Sequence, residues 1–459
     1  MVMTSKLLVL GSGEMATACT LSLLANSMDT PMVTMLARDQ EYLHELQHGS
    51  RVFQAFDRRI CVPPNLSFHP LNIKRIDNDV RGDASFLCLP VTSLGEEVEG
   101  DTSLSSTSSS SSKIPVLEYL KQNYDVPTFV FTRGLSRNGL TPLEHLNHAM
   151  GLQMSKLVVV SGPLFAKEWA EVSAPTSINR SSSDNKITGT TATTTTTTTS
   201  TTTTGNNDNN GVSLSFAMPD GTTKETLETL QHFTERLWRR ESVTWLTEPA
   251  AADVLSIVNA CVPLCCMGAG MVSSEFPASV SAMMSYMQHS ISSTEQLVNQ
   301  VLNRSQGTPL PACAVTTLAM ACTNHASREF VFGRRLNYYF RHRDAIRAVF
   351  PGNTHDSLDA TVSGLHVLLT RRSLSSPFYE VLMDAFLTVL RASVAGRGLV
   401  RTGVYDYRDH IRSEDALLLM HAKALDAAIL AGDEKRFDEA RRAVEMAFGN
   451  HPASSSSTG

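Results

Sequence analysis

The sequence predicts a doubly wound α/β domain followed by an all-helical domain. Three observations point there. Short apolar runs alternate with helical segments through the first 180 residues. A glycine turn, "VLGSGEMATA", joins the first apolar run to the first helical segment. From about residue 224 the apolar spacing turns helical and strand signals thin out. Continuous apolar strands separated by helices indicate a parallel sheet covered on both faces.

Taken in order, "KLLVLGSG" predicts a strand running into a turn, and "EMATACTLSLLANS" predicts a helix. "PMVTMLARD" predicts the second strand, and "ASFLCLP", "PTFVFT" and "KLVVVSG" predict three more, each ending in turn residues or polar groups. "VSLSFAMPD" at 212–220 predicts a further strand. Helical spacing then covers 224–241, 249–272, 277–304 and 375–394. The chain closes on an expected helical hairpin. Ser413 caps 414–430, Gly432 ends it, Asp433 caps 434–448 and Gly449 closes the second helix. The expected division is 1–223 for the α/β domain, 224–412 for the helical domain and 413–459 for the hairpin with a disordered tail. Two low-complexity tracts, at 101–113 and 180–210, interrupt the α/β domain. They lack the apolar surface needed to offset ordering entropy and read as disordered loops.

The 459 residues are 42% hydrophobic and 18% charged, enough apolar material for two cores. A net charge of -6 points away from nucleic acid and from a polybasic membrane anchor, but leaves phosphorylated small molecules open to local basic residues. The greasiest stretch is 253–271, "DVLSIVNACVPLCCMGAGM". Glu248 and Asp253 bound it and Asn259 interrupts it, so no membrane span is expected. The N-terminus shows no signal-peptide pattern and the final "STG" is no organelle address, so the expected compartment is the cytoplasm. Eight cysteines, at 19, 61, 88, 261, 265, 266, 313 and 322, show no CxxC pair and no Cys/His ligand spacing. They read as reduced core thiols, with no metal site.

The glycine turn carries the first chemistry. Gly11, Gly13 and Ala16 form a GxGxxA pattern after a strand and at the start of a helix. In this pattern the first position permits a tight turn, the second lets the backbone approach a pyrophosphate, and the third packs the helix against the sheet. The helix N-terminus offers free N–H groups and partial positive charge to phosphates. The expected cofactor contacts are Gly11, Ser12, Gly13, Glu14, Met15 and Ala16. The competing reading is a tight turn without a ligand. The second strand ends "LARD", where a NAD site usually places an acidic side chain. Arg38 here either meets a 2′-phosphate or is solvated, so NAD and NADP are both open.

Further motifs follow in a set order: "GSGEMATA", "MLARDQEYLHEL", "CVPPNLSF", "LCLPVTSL", "FTRGL" and "SGPLFAKEWAE". With them the chain resembles the NAD-dependent glycerol-3-phosphate dehydrogenases over about 1–100, 114–180 and 211–400. The resemblance implies a Rossmann-type domain for the cofactor and a helical domain like that of 6-phosphogluconate dehydrogenase. It implies hydride transfer between NAD(H) and dihydroxyacetone phosphate or sn-glycerol 3-phosphate, and a homodimer. It places Pro90 beside the cofactor, and Arg133, Asn259, Thr323 and Arg328 at the substrate. Arg133 stands where the family has the lysine of "TKG", keeping the charge in a different shape.

The same resemblance exposes departures. The catalytic lysine and aspartate of the family fall at Val258 and Ala319, and the asparagine after the retained arginine is Glu329. Valine and alanine can neither polarise a carbonyl nor deliver a proton. Lysine is absent between Lys224 and Lys423, so no shift of register restores it in the helical half. Lys167 and His325 are the nearest substitute donors, each also readable as an ordinary surface residue. Two functions stand against each other: a dehydrogenase of this type, or a catalytically inactive paralogue that binds a nucleotide or phospho-ligand and regulates a partner. An oxidoreductase of the same plan with another substrate is a third.

Overall fold

Alternation along the first strand sets the layers. In β1 (Lys6–Leu10), Leu7 and Val9 point to one face while Leu8 and Leu10 point to the other, and all four are buried. A strand buried on both sides belongs inside a covered sheet. The computed structural model describes residues 5–27, 31–37, 40–49, 52–53, 60–71, 81–94, 115–150, 156–162, 164–173, 213–238, 240–277, 279–341, 356–397, 435 and 439. Both low-complexity tracts, Arg38, and the hairpin signals at Ser413, Gly432, Asp433 and Gly449 lie outside the described residues.

β1 sits mid-sheet. On one side it pairs with β2 (Met32–Ala37), which pairs with β5 (Leu66–Pro70). On the other it pairs with β6 (Ala84–Leu87), followed by β7 (Thr128–Val130) and β8 (Leu157–Ser161). These six strands are parallel, and their order is that of a doubly wound dinucleotide fold, reversing at β1 and β6. β9 (Leu214–Ala217) then joins β8 antiparallel, and β10 (Val243–Leu246) joins β9 parallel, giving eight strands. β3 (Val52–Phe53) and β4 (Ile60–Cys61) form a separate antiparallel pair.

Helices α1 (Glu14–Asn26), α2 (Gln40–His48), α5 (Ala166–Ser173) and α6 (Lys224–Leu237) share the core built on Leu7, Val9, Phe86 and Phe129. The opposite face, with Leu8, Leu10 and Val130, packs with α3 (Pro115–Gln122), α4 (Pro142–Met150) and α7 (Ala251–Glu275). Beyond α7 lie α8 (Val280–Val301), α9 (Ala312–Thr323), α10 (Arg328–Arg341), α11 (Asp356–Arg372) and α12 (Pro377–Arg397). The architecture is therefore a Rossmann-type doubly wound sheet plus a helical domain, as the sequence predicts.

The expectation that residues from 224 onward are helical meets one exception. The segment 224–246 still packs with the sheet: α6 covers one face, and β10 is a strand where the sequence suggests none. Trp238 meets Phe86 edge-on at 5.9 Å, and Trp245 of β10 stacks on Phe216 at 5.3 Å. Their indole N–H groups donate to Ser22 Oγ (3.0 Å) and Thr234 Oγ1 (3.1 Å), so the buried Trp238 and the half-buried Trp245 both have their polar atom satisfied.

α7 passes between the two domains. It is unbroken for 25 residues and is long and apolar enough to cross a membrane, contrary to the expectation that Asn259 interrupts it. Its most apolar window is 94% buried inside the protein, which is how a core helix satisfies the same length and composition. Six of the cysteines are buried in the manner expected, and burial pushes the thiol pKa of Cys261, Cys265 and Cys322 up to about 12. Cys61 is exposed and Cys313 half-buried, so these two depart from the core reading.

In the "GAG" within α7, Gly268 makes room for the Tyr286 side chain and Gly270 for a neighbouring backbone. A Cβ on Gly270 would collide with the Phe330 carbonyl of α10, and one on Gly333 of α10 would collide with the Met267 carbonyl of α7. Main chains that close leave no room for a methyl group. Gly270→Ala and Gly333→Ala should each lower stability by about 1–3 kcal/mol, the usual cost of overpacking. Gly13→Ala, where a Cβ meets nothing within 4 Å, should leave the thermal midpoint near that of the parent. Equal midpoints for all three variants would contradict this packing.

Candidate active-site cleft

The carboxyl ends of β1 and β6 open the crevice where the strand order reverses. Gly11 follows β1 with φ +129°, a conformation L side chains rarely adopt. A Cβ there would also stand 2.7 Å from the Cys88 carbonyl at the end of β6. Its N–H donates to Leu36 O (2.8 Å), tying the turn to β2. Gly13 is the N-cap of α1 and contributes no side-chain cap bond, so a free helix start is presented. Ala16 is fully buried, while Met15 is partly buried against the sheet core. Ser12 is half-buried, and Glu14, the first residue of α1, is exposed. Pro90 is exposed past β6, and its carbonyl accepts from Ser93 N (2.9 Å).

The "FTRGL" loop follows β7. Arg133 is half-buried and donates to Leu164 O (3.2 Å). Burial pulls its pKa down, while Cys266 and the Glu329 carboxylate pull it up. Gly134 has φ +91°, and its N–H reaches Asn259 O at 3.4 Å. That carbonyl is available because Pro263, four residues on in α7, has no N–H to give it. Leu135 N donates to Thr361 Oγ1 of α11 (3.2 Å), so two helices fix the loop.

Asn259 is buried, and its amide is occupied at both ends. Nδ2 donates to Val160 O (2.9 Å), and Oδ1 accepts from Ser161 Oγ (2.9 Å). Ser161 Oγ also lies 3.3 Å from Thr317 Oγ1 of α9, which accepts from Gly162 N (3.1 Å). The residue expected at the substrate thus joins β8 to α7, with Thr317 as its companion. Ser161 and Thr317 were not singled out from sequence. Ser161 lies within the quoted "SGPLFAKE", but nothing in a linear pattern pairs it with residues about a hundred positions away.

Val258, next to Asn259, is fully buried in the apolar core, and Ala319 is half-buried. Thr323 ends α9 exposed, its hydroxyl directed at its own helix toward Met320 O (3.2 Å) and Ala319 O (3.4 Å). Ser327 Oγ accepts from Phe330 N (3.1 Å) and so caps α10. Arg328 then reaches across to the glycine turn, Nη2 lying 3.6 Å from Glu14 Oε1. Glu329 is half-buried. Burial raises its carboxyl pKa, with its own backbone hydrogen bond, Arg328 and Arg133 opposing and Glu14 adding to the rise. His325 lies 4.6 Å from the Phe330 ring, and burial and then Arg334 lower its pKa. Lys167 is half-buried in the first turn of α5. The structure therefore brings together the glycine turn, Arg328, Glu329 and Arg133. It directs Asn259 into a buried clasp instead, and no described contact joins Thr323 to Arg328.

Asn259→Leu should cost about 2 kcal/mol, because Val160 O and Ser161 Oγ lose their partner in a buried place. Denaturant midpoints check this. Glu329 gives a pH test. Its folded pKa is raised, so the folded state holds the proton longer than the unfolded chain. Its charge opposes folding increasingly as pH climbs from the ordinary value of 4.5, and the effect is absent below it. Glu329→Gln should match the parent in acid and exceed it in stability at neutral pH; a constant difference at all pH values would contradict this.

No family model and no curated protein matches the chain. Solved structures do. Glycerol-3-phosphate dehydrogenase GPD1 of Saccharomyces cerevisiae matches with a TM-score of 0.52 at 14% identity, over 83% of this chain and 95% of that one. DsGPDH of Dunaliella salina matches with a TM-score of 0.53 at 13% identity, over 85% of this chain and 60% of that one. This chain thus spans about three-fifths of the Dunaliella protein. Likeness at this identity establishes a shared fold.

Proposed function

We propose that the chain binds a nicotinamide dinucleotide at the glycine turn and a small phosphorylated ligand beside it, as a divergent glycerol-3-phosphate dehydrogenase. The observation that carries this reading is the uncapped start of α1 at the strand-order reversal, with Arg328 of the helical domain set against it. The fit of a dinucleotide is supported by the open approach at Gly13 and by the close contact at Gly11 that excludes any side chain. Gly11, Ser12, Gly13, Met15 and Ala16 would form the pyrophosphate end, with Pro90 bordering it. Arg133 and Arg328 supply the positive charge for a phosphoryl group, and Thr323 a hydroxyl. When bound, the nicotinamide supplies the hydride exchanged with dihydroxyacetone phosphate or glycerol 3-phosphate.

The chain's own contribution to proton transfer is weak. Val258 is buried and apolar, and Ala319 carries no acid. Removing one positioned proton donor costs about 10²–10⁴ in rate. This favours a second reading, a nucleotide- and phospho-ligand-binding protein without turnover that regulates a partner. Asn259 serves as architecture in either case.

Calorimetric titration with NADH and NADPH, then turnover of dihydroxyacetone phosphate by the same preparation, decides between them. NADH should bind. Gly13→Ala should weaken it about tenfold or more, roughly the value of a hydrogen bond to a charged group, without loss of stability. Binding without turnover supports the second reading. Turnover abolished in His325→Ala or Lys167→Ala would identify a substitute donor. Binding of neither dinucleotide would overturn the cofactor assignment.

A further inference from the structure

Glu14 stands at the N-terminus of the helix that receives a pyrophosphate in this fold. A carboxylate in that first turn competes for the same positive potential and repels an incoming anion. Among the described residues its one ion-pair partner is Arg328, at 3.6 Å from the start of α10. Glu329, the neighbour of Arg328 in α10, feels Arg328, Arg133 and Glu14 together. Arg133 is held by Leu164 O, whereas Arg328 is 70% exposed and Glu14 47% exposed. The exposed guanidinium can therefore change partner without unpacking a core.

We infer that Arg328 is shared between two anions, the Glu14 carboxylate of the glycine turn and the phosphate of the small ligand, so that dinucleotide and phospho-ligand bind antagonistically. This rests on the function proposed above. With Arg328 on Glu14, the turn is neutralised and the dinucleotide meets the helix start without the carboxylate's full repulsion. A phosphate that draws Arg328 away leaves Glu14 bare beside the pyrophosphate. Reciprocity requires that each ligand weaken the other by the same factor. Glu14 is then a specificity-determining residue that the GxGxxA pattern does not call for.

The test is NADH titration by calorimetry with and without saturating sn-glycerol 3-phosphate, at matched ionic strength. In the parent protein glycerol 3-phosphate should raise the NADH Kd about two- to fivefold, the scale of an exposed ion pair. Glu14→Gln should bind NADH more tightly and lose this sensitivity. Arg328→Gln should bind NADH more weakly and also lose it, and the double variant should bind like Glu14→Gln. Glycerol 3-phosphate without effect on the parent, or an effect that persists in Glu14→Gln, overturns the inference while leaving NADH binding intact. Absence of NADH binding in every variant overturns both the inference and the dinucleotide reading.

Discussion

The buried amide of Asn259 is the joint on which both domains hang. α7 is apolar almost throughout, and a polar group inside such a helix is costly unless every partner is matched. Asn259 meets that constraint three ways. Its side chain accepts from Ser161 and donates to Val160 at the end of β8, and its main-chain carbonyl takes the Gly134 N–H. The last bond depends on Pro263, which forfeits the helical hydrogen bond that would otherwise claim that carbonyl. A proline in mid-helix usually destabilises; here the freed acceptor positions the loop that carries Arg133. One residue thus fixes strand β8, helix α7 and the loop of a basic side chain in a single frame.

Charge in the cleft follows from that frame. Arg133 and Arg328 face the carboxylates of Glu14 and Glu329, so cations and anions alternate across the gap between the α1 and α10 N-termini. Two helix starts would otherwise present concentrated positive potential to solvent. The protein's own carboxylates moderate it. Any anion entering here would exchange with an internal carboxylate rather than fill an open positive site. Glu329 and the acidic first residue of α1 act in the same direction.

What could be read in the sequence was local. The glycine turn is legible because its demands fall on residues a few positions apart: the positive φ at Gly11, the open Gly13 and the packed Ala16. The covered parallel sheet follows from apolar runs buried on both faces. β10 was missed because "VTWL" is four residues long, and what holds it is Trp245 stacking on Phe216. Asn259 stood out as the one amide in a greasy helix, but the partners that give it a role, Ser161 and Val160, lie 98 and 99 positions away. The Glu14–Arg328 pair joins the first helix of the α/β domain to a helix more than three hundred residues later, and no periodicity reports such a contact.

Positions 258 and 319 can be read together through the energetics of burial. By resemblance, a lysine belongs at 258 and an aspartate at 319, on α7 and α9, helices that pack against one another. A lone ammonium at the fully buried position of Val258 would be an uncompensated charge, and breaking a buried pair by removing one partner costs about 3–5 kcal/mol. Replacing both partners with apolar side chains avoids that penalty and is often neutral or stabilising. Valine at 258 and alanine at 319 carry no such penalty. The carboxyl groups beside the glycine turn are instead those of Glu14 and Glu329, at the starts of α1 and α10, where Arg328 can compensate them.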